Sequence, residues 1–129
     1  MSEPIVYIDS SEIRSGKLAD LKAAIKEAVA YVDANEPQLV SYGFFLSEND
    51  TRMTVVAVHL DAASMDYHMK IGSPVFRRFR EFITLSRIEV YGDVPDTVLE
   101  KLREKAEMLG SGRVLVHNLH AGFARFGGR

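Results

Sequence analysis

Met53-Thr54-Val55-Val56-Ala57-Val58-His59-Leu60 reads as a β-strand. Alternation sends Met53, Val55, Ala57 and His59 to one face and Thr54, Val56, Val58 and Leu60 to the other. Both sets are mostly apolar, so this strand needs cover on two sides. Helices of the same chain supply one cover. The simplest second cover is the sheet of an identical chain, which makes a homodimer. A C-terminal helix folded across the open face is the alternative.

Working outward, Ser47 to Thr51 is a short polar turn, and Leu39 to Leu46 before it is a second apolar and aromatic strand. The short connection makes the two an antiparallel hairpin. Upstream, Leu18, Leu21, Ile25, Ala28, Val29 and Val32 recur at three- and four-residue spacing, which predicts a helix from about Lys17 to about Ala34. Asn35-Glu36-Pro37 stops it, because the residue before proline avoids helical angles. Ile5 to Asp9 is a first strand, followed by a polar turn from Ser10 to Gly16.

Downstream, Ser64 is a plausible helix N-cap. The stretch from Met65 to Ile83 reads as helical but divided by Gly72-Ser73-Pro74. Leu85 to Tyr91 is a fourth strand, and Pro95 and Asp96 open a helix that Gly110-Ser111-Gly112 stops. Val114 to Phe126 is a final extended segment, and Phe126 to Arg129 a flexible end. The order β-α-β-β-α-β, then a helix and a strand, is the ferredoxin-like split arrangement with an addition. No linker divides residues 1–129, so one α+β domain is expected.

Composition excludes several classes. The chain has 129 residues, 47% hydrophobic and 26% charged, with a formal net charge of -2. No broad basic surface is available for nucleic acid. There is no cysteine, which removes disulfides, thiolate nucleophiles, zinc-cysteine sites and iron-sulfur clusters. Met1-Ser2-Glu3-Pro4 lacks the features of a secretory signal. No apolar run suits a membrane span. A cytoplasmic protein with no membrane contact is the expectation.

The polar candidates begin with His59 and His68. A short loop between strand and helix lets the two imidazoles converge at one end of the sheet, near Asp61. Three readings stay open: pocket-wall residues, a general base titrating near neutrality, or ligands of a non-haem metal. With four histidines and no His-x-x-x-His motif, no metal and no cofactor is expected. His68→Ala is expected to cost less than roughly 2 kcal/mol, the scale of one lost hydrogen bond. Tyr7, Tyr42, Tyr67 and Tyr91 lie at or near strands. A phenol suits either an aromatic ligand or a packed core with its hydroxyl reaching water. Phe76, with Phe44, Phe45 and Phe79, is a wall or core residue. Arg77 and Arg78 read as a solvated helix face. Arg87 and Glu89 share one face of the fourth strand and need partners if that face is internal. His117 and His120 fall on opposite faces of the last segment.

His68-Met69-Lys70-Ile71-Gly72-Ser73-Pro74-Val75-Phe76 resembles the "His, three residues, Ser-Pro-x-Phe" helix of antibiotic biosynthesis monooxygenase-like domains. Ile88-Glu89-Val90-Tyr91-Gly92 resembles the strand and turn that follow it there. The match in element order runs from about Ile5 to Gly92. The resemblance implies a dimeric α/β barrel in which each subunit has a pocket between its own sheet and helices. Some members oxygenate polycyclic phenols without metal or flavin, while others degrade haem or oxidise quinols. The chain has no tryptophan, a residue that the better-known oxygenating and haem-degrading members use, so only His68 is carried over by position.

The expectation is therefore a cofactor-independent monooxygenase-like homodimer that binds a small aromatic or polycyclic molecule. His68, and then His59, would act as the base, with Tyr7, Tyr42, Tyr67 and Phe76 against the substrate. The competing expectation is a dimer that binds a small molecule, or only packs, without turnover.

Overall fold

The computed structural model describes residues 3–126. Its elements are β1 (Ile5–Ile13), α1 (Leu18–Asn35), β2 (Leu39–Leu46), β3 (Arg52–His59), α2 (Ala62–Arg78), β4 (Ile83–Tyr91), α3 (Asp96–Leu109) and β5 (Val114–His117). A 3-10 turn, Phe79–Glu81, joins α2 to β4. The sheet order is β2-β3-β1-β4-β5. The first four strands pair antiparallel, and β5 joins the edge of β4 in parallel. This is the ferredoxin-like α+β fold with one helix and one strand added.

Side chains from all three helices enter a single core with the inward face of the sheet. Leu21, Ala24 and Ala28 come from α1, Met65, Met69 and Phe76 from α2, and Val98, Leu102 and Ala106 from α3. The C-terminal helix thus lies in the same layer as the other two and does not cross the open face. On that face Val6, Ile8, Val56 and Val58 are only half-buried, whereas Ile5, Tyr7, Val55 and Ala57 on the inner face are buried.

Three elements differ from the sequence expectation. β1 runs on to Ile13, because Ser11 and Glu12 pair with Met53 and Arg52 of β3 on one side and with β4 on the other. A central position between two strands outweighs the low strand propensity of serine. Helix α2 is continuous through Pro74. Buried Gly72 and Phe76 hold its inner face against the core, and Tyr31 of α1 donates to the Ile71 carbonyl at 3.2 Å. Its N-cap is Asp61, which accepts from the Ser64 amide at 2.9 Å; Ser64 lies within the helix. The last strand ends at His117, and the expected flexible end at Gly127 to Arg129 lies outside the described residues.

Gly110 ends α3 where the chain meets β4. A Cβ there would collide with the Leu85 backbone, which cannot yield as a side-chain tip would. Glycine is required by this close approach.

Candidate functional site

The inner face of the sheet is not uniformly apolar. On β1 the period of two puts Tyr7, Asp9 and Ser11 in line toward the helices, all buried. Across the sheet, Tyr7 lies between Ala57 and Val90, and Ala57 in turn pairs with Tyr42. Asp9 lies between Val55 and Ile88, and Val55 pairs with Phe44. These rows form the floor of a cavity of about 30 Å³, space for roughly one or two waters. Tyr7, Asp9, Ser11, Tyr42, His68 and Lys105 supply its polar wall, and Met53, Phe44, Phe76 and Phe79 much of its apolar wall.

His68 reaches the cavity from α2. Its Nδ1 is 2.6 Å from Oε2 of Glu36, and both side chains are buried. Glu36 is the C-cap residue of α1. Its amide donates to the Val32 carbonyl at 2.8 Å, and its own carbonyl accepts from the Leu39 amide at 3.1 Å. The carboxylate is therefore held by backbone on both sides. It fixes the Nδ1–H tautomer of His68 and leaves Nε2 as the proton-accepting nitrogen. Burial lowers the His68 pKa below its ordinary value, and the Glu36 hydrogen bond opposes that shift. The imidazole is thus neutral at pH 7, the form a general base requires. The Tyr42 ring meets the His68 ring edge-on, with centroids 5.3 Å apart, and Phe76 lies 5.1 Å from it on another side.

His59 sits behind this pair. Its ring centroid is 5.4 Å from that of His68, but its Nδ1 is 3.0 Å from the Ser64 hydroxyl, and it does not line the cavity. Burial, with His68 and Lys105 nearby, pushes its pKa down to about 3. Asp61 is engaged in capping α2. Among the described residues no three histidine or carboxylate side chains gather as metal ligands.

Tyr7, Tyr42 and Phe76 line the cavity. Tyr67 does not: it is exposed on α2 and borders a surface groove beside Pro37. Phe45, expected in wall or core, is exposed too, because alternation along β2 turns it away from the face of Phe44. Arg87 and Glu89 pair with each other at 3.1 Å on the outer face, and His117 stacks on Tyr91. Arg78 pairs with Glu27 at the surface.

Four polar residues of the site escape the sequence reading: Asp9, Ser11, Glu36 and Lys105. Asp9 already shared the face of Tyr7 in the expected strand, by alternation, and the extension of β1 to Ile13 adds Ser11 to it. Lys105 carried a visible signal, since it lies three residues after Leu102 and four before Leu109, on the apolar side of its helix. Glu36 had none beyond its place before Pro37.

No family model and no curated protein matches the chain. Solved structures do match. MupZ from Pseudomonas fluorescens superposes with a TM-score of 0.73 over 95% of both chains, at 21% identity. SnoaB, a cofactor-independent oxygenase from Streptomyces nogalater, gives a TM-score of 0.59 at 14% identity, over 69% of this chain and 91% of its own. A candidate antibiotic biosynthesis monooxygenase from Bacteroides thetaiotaomicron gives 0.54 at 18% identity, over 68% and 85%. At these identities the likeness is one of fold alone.

Proposed function

From that shared fold and the geometry of the cavity, we propose that this protein binds a small, mainly apolar, aromatic molecule between its sheet and helices. We propose further that it oxygenates the molecule without a cofactor. The observation that carries the reading is the buried His68–Glu36 pair on an aromatic-walled cavity. His68 Nε2 takes the proton of a phenol or enol. Glu36 steadies the imidazolium that forms, as a carboxylate behind a catalytic histidine does. The electron-rich anion then reduces dioxygen: a C–O bond forms, the peroxide takes back the proton from His68, and O–O cleavage with loss of the remaining C–H proton leaves a carbonyl on the ring and releases water. The protein contributes proton removal, orientation and exclusion of water.

The cavity is smaller than an aromatic ring, so a ligand enters only when wall side chains turn aside. Phe76 and Lys105 are the natural pair to move. Both also line the surface groove between α2 and α3, with Met69, Ser73 and Met108. The half-buried outer face of the sheet supports a homodimer formed through it.

The small, filled cavity also favours a second reading, a binding module without turnover. Oxygen uptake with anthrone, the keto form of a tricyclic phenol, separates the two. Uptake above the uncatalysed rate, lost in His68→Gln, supports the oxygenase. Tight binding with no uptake supports the binding module, and neither binding nor uptake overturns both.

A further inference from the structure

The mechanism above leaves one buried ionic group unused. Tyr7 Oη donates to Oδ2 of Asp9. Lys105 Nζ donates to Tyr7 Oη at 2.7 Å and stands 3.8 Å from Asp9 Oδ2. The ammonium also lies 3.9 Å above the centre of the Phe76 ring. The Lys105 and Asp9 side chains are only 8% and 6% exposed. Burying an ammonium and a carboxylate this deeply costs several kcal/mol per ion, and apolar residues of similar volume usually serve stability as well or better.

The pair is also incompletely satisfied. Asp9 Oδ1 and Ser11 Oγ are buried without a hydrogen-bond partner, although both residues line the cavity. Each unmade hydrogen bond of this kind is a cost to the fold that a ligand could relieve. Lys105 has three donor hydrogens, of which one is given to Tyr7. Unspent acceptors and donors therefore converge on the same 30 Å³. Burial raises the Asp9 pKa, while Lys105, Tyr7 and the Val55 amide oppose it; burial lowers that of Lys105.

We propose that Asp9, held by Tyr7 and Lys105, is a second polar anchor of the pocket and takes a ligand hydroxyl. The O–H of an alcohol, enol or phenol donates to Asp9 Oδ1, and the ligand oxygen accepts from the Lys105 ammonium. The proposal rests on the reading that the pocket admits a small ring. It narrows the ligand class to molecules that bring a hydroxyl to β1. With His68 also beside the Phe76 ring, the site then presents two separate polar groups to one bound molecule.

The test compares 4-fluorophenol with 1,4-difluorobenzene, a ring of the same size with fluorine in place of hydroxyl, by fluorine NMR titration of the full chain. Wild type should bind the phenol at least about tenfold tighter, as expected for a hydrogen bond to a charged group. Asp9→Leu combined with Lys105→Met removes both charges together, which avoids stranding either one. It should bring the ratio close to one. Asp9→Asn, with nearly the same shape, should reduce it several-fold and carries the test if the double variant does not fold. An unchanged preference in folded Asp9 variants overturns the assignment, as does a preference lost only in His68→Gln. Failure of both rings to bind wild type overturns the pocket reading and this proposal with it.

Discussion

Nδ1 of His68 and Oε2 of Glu36 lie 2.6 Å apart, and the contact ties the middle of α2 to the end of α1. His68 is thus a structural partner as well as a candidate base. Its removal strands a carboxylate whose Oε1 already lacks a partner.

That relationship changes what His68→Ala should do. The sequence alone suggests the loss of one hydrogen bond, below roughly 2 kcal/mol. Removing the donor of a buried carboxylate leaves that charge unsatisfied and costs more than a neutral hydrogen bond does, about 3 kcal/mol. Glu36→Gln combined with His68→Gln leaves no charge to strand and should recover most of that loss. Urea unfolding of both variants checks this. A His68→Ala protein as stable as wild type would show that Glu36 finds water or protonates without cost.

Stability should fall as the solution is acidified through the ordinary histidine range. His59 is held at about 3 in the folded chain, against about 6.5 when unfolded. Between these values the unfolded chain binds a proton that the folded chain does not, so unfolding free energy decreases as pH drops. The slope from His59 reaches about 1.4 kcal/mol per pH unit. His68, also lowered, acts in the same direction, whereas the raised Asp9 opposes it at acid pH. His59→Asn should flatten the profile between pH 6 and pH 5, measured by urea titrations at each pH. Equal slopes in variant and wild type would contradict the assigned shift.

The outer sheet face should be an interface. Val6, Ile8, Val56 and Val58 are half-buried there, with no helix laid over them among the described residues. Sedimentation at micromolar concentration should give about twice the 14.4 kDa chain mass. Val56→Glu should yield a folded monomer, since it sets like charges against each other across the two-fold axis. A monomeric wild type would refute this.

Gly110→Ala should destabilise the fold by roughly 2–4 kcal/mol, the range for strain at a position with no room to relax. The new methyl meets the Leu85 backbone at the bridge between α3 and β4. Thermal unfolding reads the loss, and an unchanged midpoint would mean that the α3 terminus shifts freely.

The sequence by itself determined the order of elements and their class. The apolar period of two in β3, the apolar and aromatic run of β2, and the period of three to four in α1 are local signals set by backbone geometry and solvent. It also gave the two-sided apolar character of β3, which follows from alternation alone, and the nearness of His59 and His68, which a short loop enforces. Pro74 and Ser10 to Glu12 were misread because propensity acts locally, whereas packing against Phe76 and pairing on both sides of β1 act at a distance. Only the tertiary structure decided the site. Glu36 meets His68 across 32 positions and Lys105 meets Tyr7 across 98. Such pairings leave no mark in local pattern, because burial of a charge is set by what folds over it. A lysine on the apolar side of α3 shows that a partner must exist, but the sheet beneath it decides which one.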